Sequence, residues 1–212
     1  MPLPTAHRLV GELVEWGALT RLADGRYAIG RRLWDVGLLA PVQTGLRQAA
    51  SPFLHDVYAA TLATVHLGVR DRHQVLYLER LSGRASVPIV STVGSRLPLH
   101  CTGVGKVLLA FAPEAVQREV LQSRLRRVTR HTVTAPGLLA EQLRRVRTEG
   151  YATTVEEMSL GACSVAVPIR RAGDVVASVG IVVPSLRRER ARLVSALQVA
   201  ASGIERNLGG PS

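Results

Sequence analysis

The spacing of apolar side chains over residues 5–16 predicts an amphipathic helix at the start of the chain. The apolar stripe has helical spacing and consists of Leu9, Val10, Leu13, Val14 and Trp16. Thr5 is the expected N-cap, and Gly17 can end the helix in the left-handed conformation. Two short strand-like runs then flank Asp24-Gly25, a dipeptide that favours a hairpin turn. A helix followed by a two-stranded ribbon indicates the second half of a winged helix.

The rest of the chain mixes helical and strand-like patterns. Residues 31–60 are helical in pattern, with an interruption near residues 41–45. Three strand-like runs follow between residues 63 and 93, namely T-V-H-L-G-V, Q-V-L-Y-L-E-R-L and S-V-P-I-V-S-T. Beyond them the patterns predict a helix capped by Thr102, helices from Pro113 and over 138–150, three strands within 151–183, and an amphipathic helix over 187–207. A central antiparallel sheet flanked by helices is an α+β fold, a layout that suits a small-molecule sensor.

The net charge of +11 suggests a nucleic-acid partner, because clustered cations displace counterions from phosphates. Its distribution weakens that inference. Residues 1–50 hold six arginines against four acids, an excess of two, whereas residues 118–147 hold eight arginines against two acids, an excess of six. Most of the excess positive charge therefore lies outside the predicted winged helix.

Cysteine usage and hydropathy limit where the protein can work. Cys101 and Cys163 form neither a disulfide framework nor a C-x-x-C pair. The N-terminus lacks the charged start and apolar run of a signal peptide, and the longest apolar run, residues 175–183, is too short to span a bilayer. We expect a reduced, cytoplasmic protein without membrane contact.

The N-terminal helix and hairpin are a candidate DNA-binding element. A recognition helix contacts base edges with its first turn, and its flanks contact phosphates. By position in the pattern, the helix would contribute Thr5, His7 and Arg8, and the wing would contribute Arg21 and Arg26. The alternative is a surface helix and hairpin that pack on the larger domain.

Residues 94–106, G-S-R-L-P-L-H-C-T-G-V-G-K, are a candidate ligand-binding loop. The segment is not a phosphate loop, because His100 and Val107 occupy the positions that require glycine and a hydroxyl residue. A glycine-rich helix start can instead present backbone N–H groups to an anion such as a carboxylate. Equally, the small residues can serve close packing against the sheet.

Cys101 could in principle act as a nucleophile at this helix start. No third group is spaced to orient a base, and burial of a lone cysteine is more common. A zinc site from His100, Cys101 and Cys163 lacks ligand spacing. We therefore expect no enzyme activity, no cofactor and no metal.

Residues 149–169, E-G-Y-A-T-T-V-E-E-M-S-L-G-A-C-S-V-A-V-P-I, place polar residues between two strands. Such residues line a concave pocket if they point inward. The alternative is a solvated hairpin tip.

Taken together, these segments resemble the IclR family of transcriptional regulators. The stretches R-L-P-L-H-C-T-G-V-G-K-V-L-L-A and E-G-Y-A-T-T-V-E-E-M-S-L-G-A-C-S-V-A-V-P-I are similar to its effector-binding domain. The N-terminal T-A-H-R-L-V, L-V-E-W-G-A-L and G-R-Y-A-I-G resemble its recognition helix and wing.

The resemblance implies a partial winged helix-turn-helix over residues 1–30, a helical linker over 31–50 and a GAF-like effector-binding domain over 51–212. It also implies operator DNA and a small organic acid as partners, and a homodimer or homotetramer as the assembly. Motif matching implies an effector pocket formed by Cys101, Gly103, Val104, Thr154, Glu156, Met158 and Ser164.

Two departures from the family pattern affect the expected function. Sensors of glyoxylate and pyruvate in this family carry an acidic residue at the position of Thr154 and a cysteine at that of Ser164, and these departures disfavour that effector class. The S-V-A-V-P pattern instead resembles that of members that sense aromatic acids or their ring-cleavage products. Family members usually carry two further helices ahead of the recognition helix. A late-assigned start, a trimmed chain and a stand-alone sensor or interaction module that no longer binds DNA remain alternatives.

Overall fold

The computed structural model describes residues 2–38, 43–83, 86–87, 89–187 and 189–209 of the chain. These residues form two units, Met1–Thr44 and Gly45–Ser212. Residues 45–50, which the family pattern assigns to a linker, fall within the larger unit. The borders at residues 30 and 50 remain predictions.

The smaller unit begins with a helix that starts earlier than the sequence pattern suggests. Helix α1 spans Leu3–Glu15 and follows Pro2 as its N-cap. Thr5 therefore lies inside the helix, and its predicted role as N-cap is wrong. The reason is Pro4, which lies in the first turn, where its missing N–H is not needed and its fixed φ already suits a helix.

The end of α1 follows the prediction. Gly17 adopts a left-handed φ of 79°, and its N–H donates to the carbonyl of Val14 at 2.9 Å. The next N–H, that of Ala18, donates to the carbonyl of Leu13 at 2.8 Å. This pair of bonds is a Schellman motif, which satisfies carbonyls that the helix leaves free.

The predicted hairpin is confirmed. Strands β1 (Leu19–Arg21) and β2 (Tyr27–Ile29) pair antiparallel. In the turn between them, Gly25 has a φ of 82°, a value that glycine adopts at no steric cost. Helix α2 (Arg31–Leu38) completes the smaller unit, and the predicted interruption near residues 41–45 lies partly outside the described residues.

The larger unit is built on a six-stranded antiparallel sheet in the order β5-β4-β3-β8-β7-β6. Its strands are β3 (Thr64–Asp71), β4 (Gln74–Leu81), β5 (Arg96–Pro98), β6 (Ala152–Val155), β7 (Cys163–Arg171) and β8 (Asp174–Val183). Its helices are α3 (Thr44–Thr61), α4 (Gly103–Ala110), α5 (Glu114–Gln122), α6 (Pro136–Glu149) and α7 (Arg190–Gly209), with a 3₁₀ turn over Leu99–Cys101. The α+β class and the central antiparallel sheet are confirmed.

Two apolar layers cover the two faces of this sheet. On one face, Leu54 of α3 and Leu197 of α7 share a buried cluster with Val179 of β8. On the other face, Leu109 of α4 and Leu143 of α6 share a second cluster with Tyr77 of β4. Side chains alternate between faces along a strand, so His66, Ser164 and Gly180 lie on the α4 side.

The predicted strand at residues 86–92 is wrong. Its described residues form no strand, and the edge strand β5 lies further along the chain at Arg96–Pro98. Ile89, Val90 and Ser91 contact a cavity on the α4 side of the sheet. Their apolar pattern therefore reflects contact with a cavity and not pairing with a neighbouring strand.

Among the described residues, no helix is both long and apolar enough to cross a membrane.

Candidate functional site

A cavity lies between the sheet and the start of α4. The unfilled space amounts to about 490 Å³ with its open mouth included, but the centre of a water molecule can occupy only about 50 Å³ of it. Most of its surface is apolar. It is lined by His66, Tyr77, Ile89, Val90, Ser91, Leu97, Thr102, Gly103, Val104, Thr154, Met158, Ser159, Ala162, Cys163, Ser164, Val165, Gly180, Ile181 and Val182.

The start of α4 forms one wall of this cavity. Thr102 caps the helix, as the sequence predicts, because its hydroxyl accepts a hydrogen bond from the N–H of Gly105 at 3.1 Å. Gly103 and Val104 line the cavity at the first turn, where backbone N–H groups have no partner within the helix. Those N–H groups and the helix dipole favour a negatively charged ligand.

Close packing also requires glycine at this position. A Cβ atom on Gly103 would lie 2.5 Å from Oγ of Ser164 on β7, well inside van der Waals contact. Both explanations of the glycine-rich segment therefore apply: α4 packs tightly on the sheet, and its first turn lines the cavity.

Two hydroxyl groups face this helix start from the sheet. Thr154 of β6 and Ser164 of β7 are directly paired across the strands, and their hydroxyl oxygens are 2.6 Å apart. Both residues line the cavity. A hydroxyl pair of this kind can donate to a ligand oxygen, because each hydroxyl both donates and accepts.

A second polar pair lines the same cavity, on β3 and on the segment between β4 and β5. Nε2 of His66 on β3 and Oγ of Ser91 are hydrogen-bonded at 2.8 Å, and both side chains are almost fully buried. The His66 ring also packs against the ring of Tyr77, with centroids 4.8 Å apart. Burial, assisted by the positive charge of Arg80, lowers the pKa of His66 to about 3, so this imidazole is neutral at physiological pH.

The segment between β6 and β7 closes the cavity from the side. Glu156 has a φ of 54°, and its carboxylate accepts a hydrogen bond from the N–H of Gly161 at 2.6 Å. Met158 lines the cavity, and its sulfur lies 3.6 Å from Sγ of Cys101. Glu156 therefore shapes this segment from outside, and Cys101 packs behind Met158.

A buried ion pair holds the same segment to α4. Lys106 and Glu157 form a salt bridge with almost no solvent exposure, and Nζ of Lys106 also donates to Oε1 of Gln142 on α6 at 2.7 Å. Burial lowers the pKa of Lys106, while Glu157 opposes that shift. The carbonyl of Glu157 accepts from the hydroxyl of Thr132 at 2.8 Å. The lysine of G-V-G-K thus points into the protein and joins three elements.

The chemistry of Cys101 argues against a nucleophile. Its side chain is fully buried, and burial, reinforced by the charge of Glu157, raises the pKa of its thiol to about 12. The thiolate, which is the reactive form, is therefore scarce at neutral pH. Among the described residues, no group of three or more His, Cys, Asp or Glu side chains has the geometry of a metal site.

Five of the seven residues predicted for the pocket line the cavity: Gly103, Val104, Thr154, Met158 and Ser164. Cys101 and Glu156 do not line it. Sequence reasoning missed the opposite wall, formed by His66, Tyr77 and Ser91. The alternating pattern of the sequence marks His66 and Tyr77 as strand residues. The neighbouring residues do not indicate which face of the sheet borders a cavity.

The residues predicted to contact DNA lie on the smaller unit. Thr5 is half-buried within α1, whereas His7, Arg8, Arg21 and Arg26 are exposed. Arg8 pairs with Glu12 at 2.5 Å, and Arg26 pairs with Asp24 at 2.6 Å. Exposed pairs of this kind are weak, so phosphates can compete for both arginines.

Comparison with known proteins identifies the family of this chain. Residues 40–206 match the family model described as bacterial transcriptional regulator IclR C-terminal. The transcriptional regulator KdgR of Dickeya chrysanthemi is 30% identical over 215 residues, which cover 99% of this chain and 70% of that protein. The regulator BhcR of Paracoccus denitrificans is 35% identical over 207 residues, covering 96% of this chain and 74% of that protein.

Solved structures agree with the sequence relatives. An IclR homologue of Microbacterium hydrocarbonoxydans, solved in complex with 4-hydroxybenzoate, is 38% identical with a TM-score of 0.91, covering 98% of this chain and 86% of the other. The IclR protein of Thermotoga maritima is 32% identical with a TM-score of 0.84, covering 99% and 87%. Both sequence relatives are named as transcriptional regulators. The chain therefore belongs to the IclR family of bacterial transcriptional regulators, as its sequence motifs indicate.

Proposed function

We propose that this regulator binds a small aromatic acid in the cavity beside α4 and that the bound acid changes its affinity for operator DNA. The observation that carries this proposal is the meeting of the α4 start with the hydroxyl pair of Thr154 and Ser164. Cavities of this kind, apolar with a few polar groups, are typical of small-molecule sites.

The proposed carboxylate position is the first turn of α4. There the backbone N–H groups of Gly103 and Val104 would donate to the carboxylate, and the hydroxyls of Thr154 and Ser164 would donate from the sheet. Among the described residues that line the cavity, no basic side chain is charged at neutral pH. The helix start and the hydroxyls are therefore the groups available to an anion.

An aromatic body is supported by the cavity wall. Leu97, Val104 and Val182 supply apolar surface, and the small free space favours one ring over a longer chain. The relative from Microbacterium hydrocarbonoxydans, whose structure contains 4-hydroxybenzoate, makes a monocyclic aromatic acid the first candidate.

Operator binding is assigned to α1 and the β1–β2 wing. His7 and Arg8 would enter the major groove, Thr5 would support them from the half-buried side of the helix, and Arg21 and Arg26 would contact phosphates from the wing. We further propose a homodimer or homotetramer, because Trp34 and Val36 of α2 are 57% and 55% exposed. Apolar side chains left open in this way are suited to self-association.

Effector binding is tested by thermal unfolding in the presence of a panel of organic acids. Benzoate and hydroxybenzoates should raise the Tm, because a ligand that binds the folded state alone stabilises it. Ser164→Ala should reduce this rise, whereas Ser123→Ala, on the far end of α5, should not. If no aromatic acid raises the Tm at millimolar concentration, the proposed effector class is wrong.

DNA binding is tested by a gel shift on the gene's own upstream region at several salt concentrations. Specific retention that weakens with salt supports the proposal, because phosphate contacts release counterions. Arg21→Ala should weaken binding on all sequences alike. Effector binding without DNA affinity, even at low salt, would instead favour a stand-alone sensor.

A further inference from the structure

The wall of the cavity opposite α4 carries a polar pair that the proposed carboxylate site does not use. His66 and Ser91 both line the cavity and are only 3% exposed each. Placing two polar side chains in such a site is costly unless they are hydrogen-bonded, and their mutual bond of 2.8 Å meets only part of that need. A neutral imidazole and a hydroxyl together offer more donors and acceptors than one bond consumes.

The sheet fixes how far this pair lies from the carboxylate site. His66 on β3 faces Gly180 on β8, and Gly180 faces Ala166 on β7. Ser164 is therefore two strands away from β3, which corresponds to about 10 Å between backbones at the usual strand spacing. Side chains on one face of a sheet stand roughly parallel to each other, so the polar groups keep a separation of this order, and this span suits a single ring with one polar group at each end.

The electrostatics at His66 disfavour a second carboxylate. Its imidazole is neutral because burial, assisted by Arg80, lowers its pKa to about 3. Arg80 is directly across from His66 in the strand pairing but is not among the residues that line the cavity. A carboxylate at this end would lose its hydration without gaining a cation, whereas a hydroxyl needs only one donor and one acceptor.

The two tautomers of His66 make the pair suitable for a hydroxyl in particular. If Nε2 accepts from Ser91, the serine oxygen keeps lone pairs that can accept from a ligand O–H. If Nε2 carries the proton, it donates to Ser91, whose own O–H becomes free to donate to a ligand oxygen. Either arrangement leaves Ser91 with a bond to offer, and a hydroxyl can match both.

We propose that His66 and Ser91 form a specificity subsite for a neutral hydroxyl group, so that the effector is a hydroxy-substituted aromatic acid whose hydroxyl lies opposite its carboxylate. This inference rests on the proposed function, because it takes the carboxylate to lie at the start of α4. Ser91 is the contact residue, and His66 is a positioning residue that orients the serine hydroxyl.

The test compares four acids on the whole chain by titration calorimetry: benzoate, 4-hydroxybenzoate, 4-methylbenzoate and terephthalate. The wild-type protein should bind 4-hydroxybenzoate about tenfold or more tightly than benzoate, as expected for one hydrogen bond to a buried group. Terephthalate, with a second carboxylate, should bind more weakly than benzoate.

Ser91→Ala should bring the ratio of the 4-hydroxybenzoate and benzoate affinities close to one, because it removes the hydroxyl that distinguishes the two acids. His66→Phe keeps a ring against Tyr77 and should reduce the same ratio through the loss of orientation. Ser95→Ala is the matched control, because that serine belongs to the same segment, its hydroxyl bonds to the backbone of Thr92 and it does not line the cavity. It should retain the wild-type ratio.

The possible results separate the two proposals. Benzoate binding with a wild-type ratio near one, or a ratio unaffected by Ser91→Ala, would overturn the subsite and leave the effector proposal standing. Tight binding of terephthalate would overturn it as well, because the pair would then accept an anion. If none of the four acids binds, the aromatic effector class is wrong and the subsite falls with it.

Discussion

At the scale of single residues, the candidate site depends on groups that lie far apart in the sequence. Thr102 could be assigned as a helix cap from its local sequence, and the structure confirms that role. The contact between Gly103 and Ser164 joins residues on different elements, and the pairing of His66 with Ser91 spans 25 positions. Spacing alone cannot reveal such contacts, because they depend on which strands become neighbours.

The substitution Gly103→Ala tests the close approach of α4 to the sheet. The new methyl group would overlap with Oγ of Ser164, and relieving the overlap would separate the Thr154 and Ser164 hydroxyls. We expect a loss of about 1–3 kcal/mol in the free energy of unfolding together with weaker effector binding, measured by urea unfolding and calorimetry. Gly137→Ala is the control, since its Cβ meets nothing within 4 Å. Wild-type effector affinity in Gly103→Ala would argue against the proposed carboxylate site.

The buried imidazole of His66 predicts a loss of stability in acid. Its pKa of about 3 in the folded state lies below the value near 6.5 for an exposed histidine, so between these values only the unfolded chain binds the proton. The free energy of unfolding should therefore fall as the pH decreases from about 6.5 towards 3, with a contribution from this residue of about 2 kcal/mol at pH 5.

Urea unfolding at about pH 8 and pH 5 measures this contribution. The difference between the two pH values should be smaller in His66→Gln by the stated amount, and His7→Gln, on the exposed surface of α1, should behave as the wild type. An identical pH dependence in His66→Gln and the wild type would mean that the imidazole is not buried in its neutral form.

At the scale of elements, features encoded by adjacent residues could be predicted from the sequence, whereas the pairing of strands could not. The end of α1 at Gly17 and the hairpin at Asp24-Gly25 were predictable, because each is encoded by residues that are adjacent in the chain. The run at residues 86–92 has a strand-like pattern, but it contacts the cavity instead of pairing. Position 88 is a proline, which has no N–H to donate to a neighbouring strand. The sequence therefore already contained a signal against a strand at this position.

The Lys106–Glu157 pair predicts coupling between α4 and the β6–β7 segment. Removing one partner leaves the other charge buried, which should cost about 3–5 kcal/mol in the free energy of unfolding. Lys106→Met and Glu157→Gln should each show this loss and weaken effector binding, because the segment that carries Met158 is no longer held. The double variant should lose much less than the sum of the two, measured by chemical unfolding.

The exposed pair of Arg145 and Glu141 provides the control for this prediction. Arg145→Met should change the free energy of unfolding by less than about 1 kcal/mol, as surface pairs usually do. Strictly additive effects in the Lys106 and Glu157 variants would contradict the account of a shared buried pair.

At the scale of the whole molecule, sequence and structure contribute different parts of the account. Motifs near residues 94–106 and 149–169 were enough to indicate the family, and the comparisons confirm it. The structure adds that both motifs border one cavity. The assembly and the arrangement of DNA-binding units are proposals, and their test is the linkage between effector and operator.

The most direct measurement is the fluorescence anisotropy of labelled upstream DNA titrated with the protein, with and without saturating 4-hydroxybenzoate. Two linked sites should change the Kd for operator by about 5-fold to 150-fold, the usual range for allosteric coupling. Ser164→Ala should bind the DNA normally but respond less to the acid. An operator Kd that is the same with and without the acid, under conditions where calorimetry shows the acid bound, would contradict the claim that this cavity controls DNA binding.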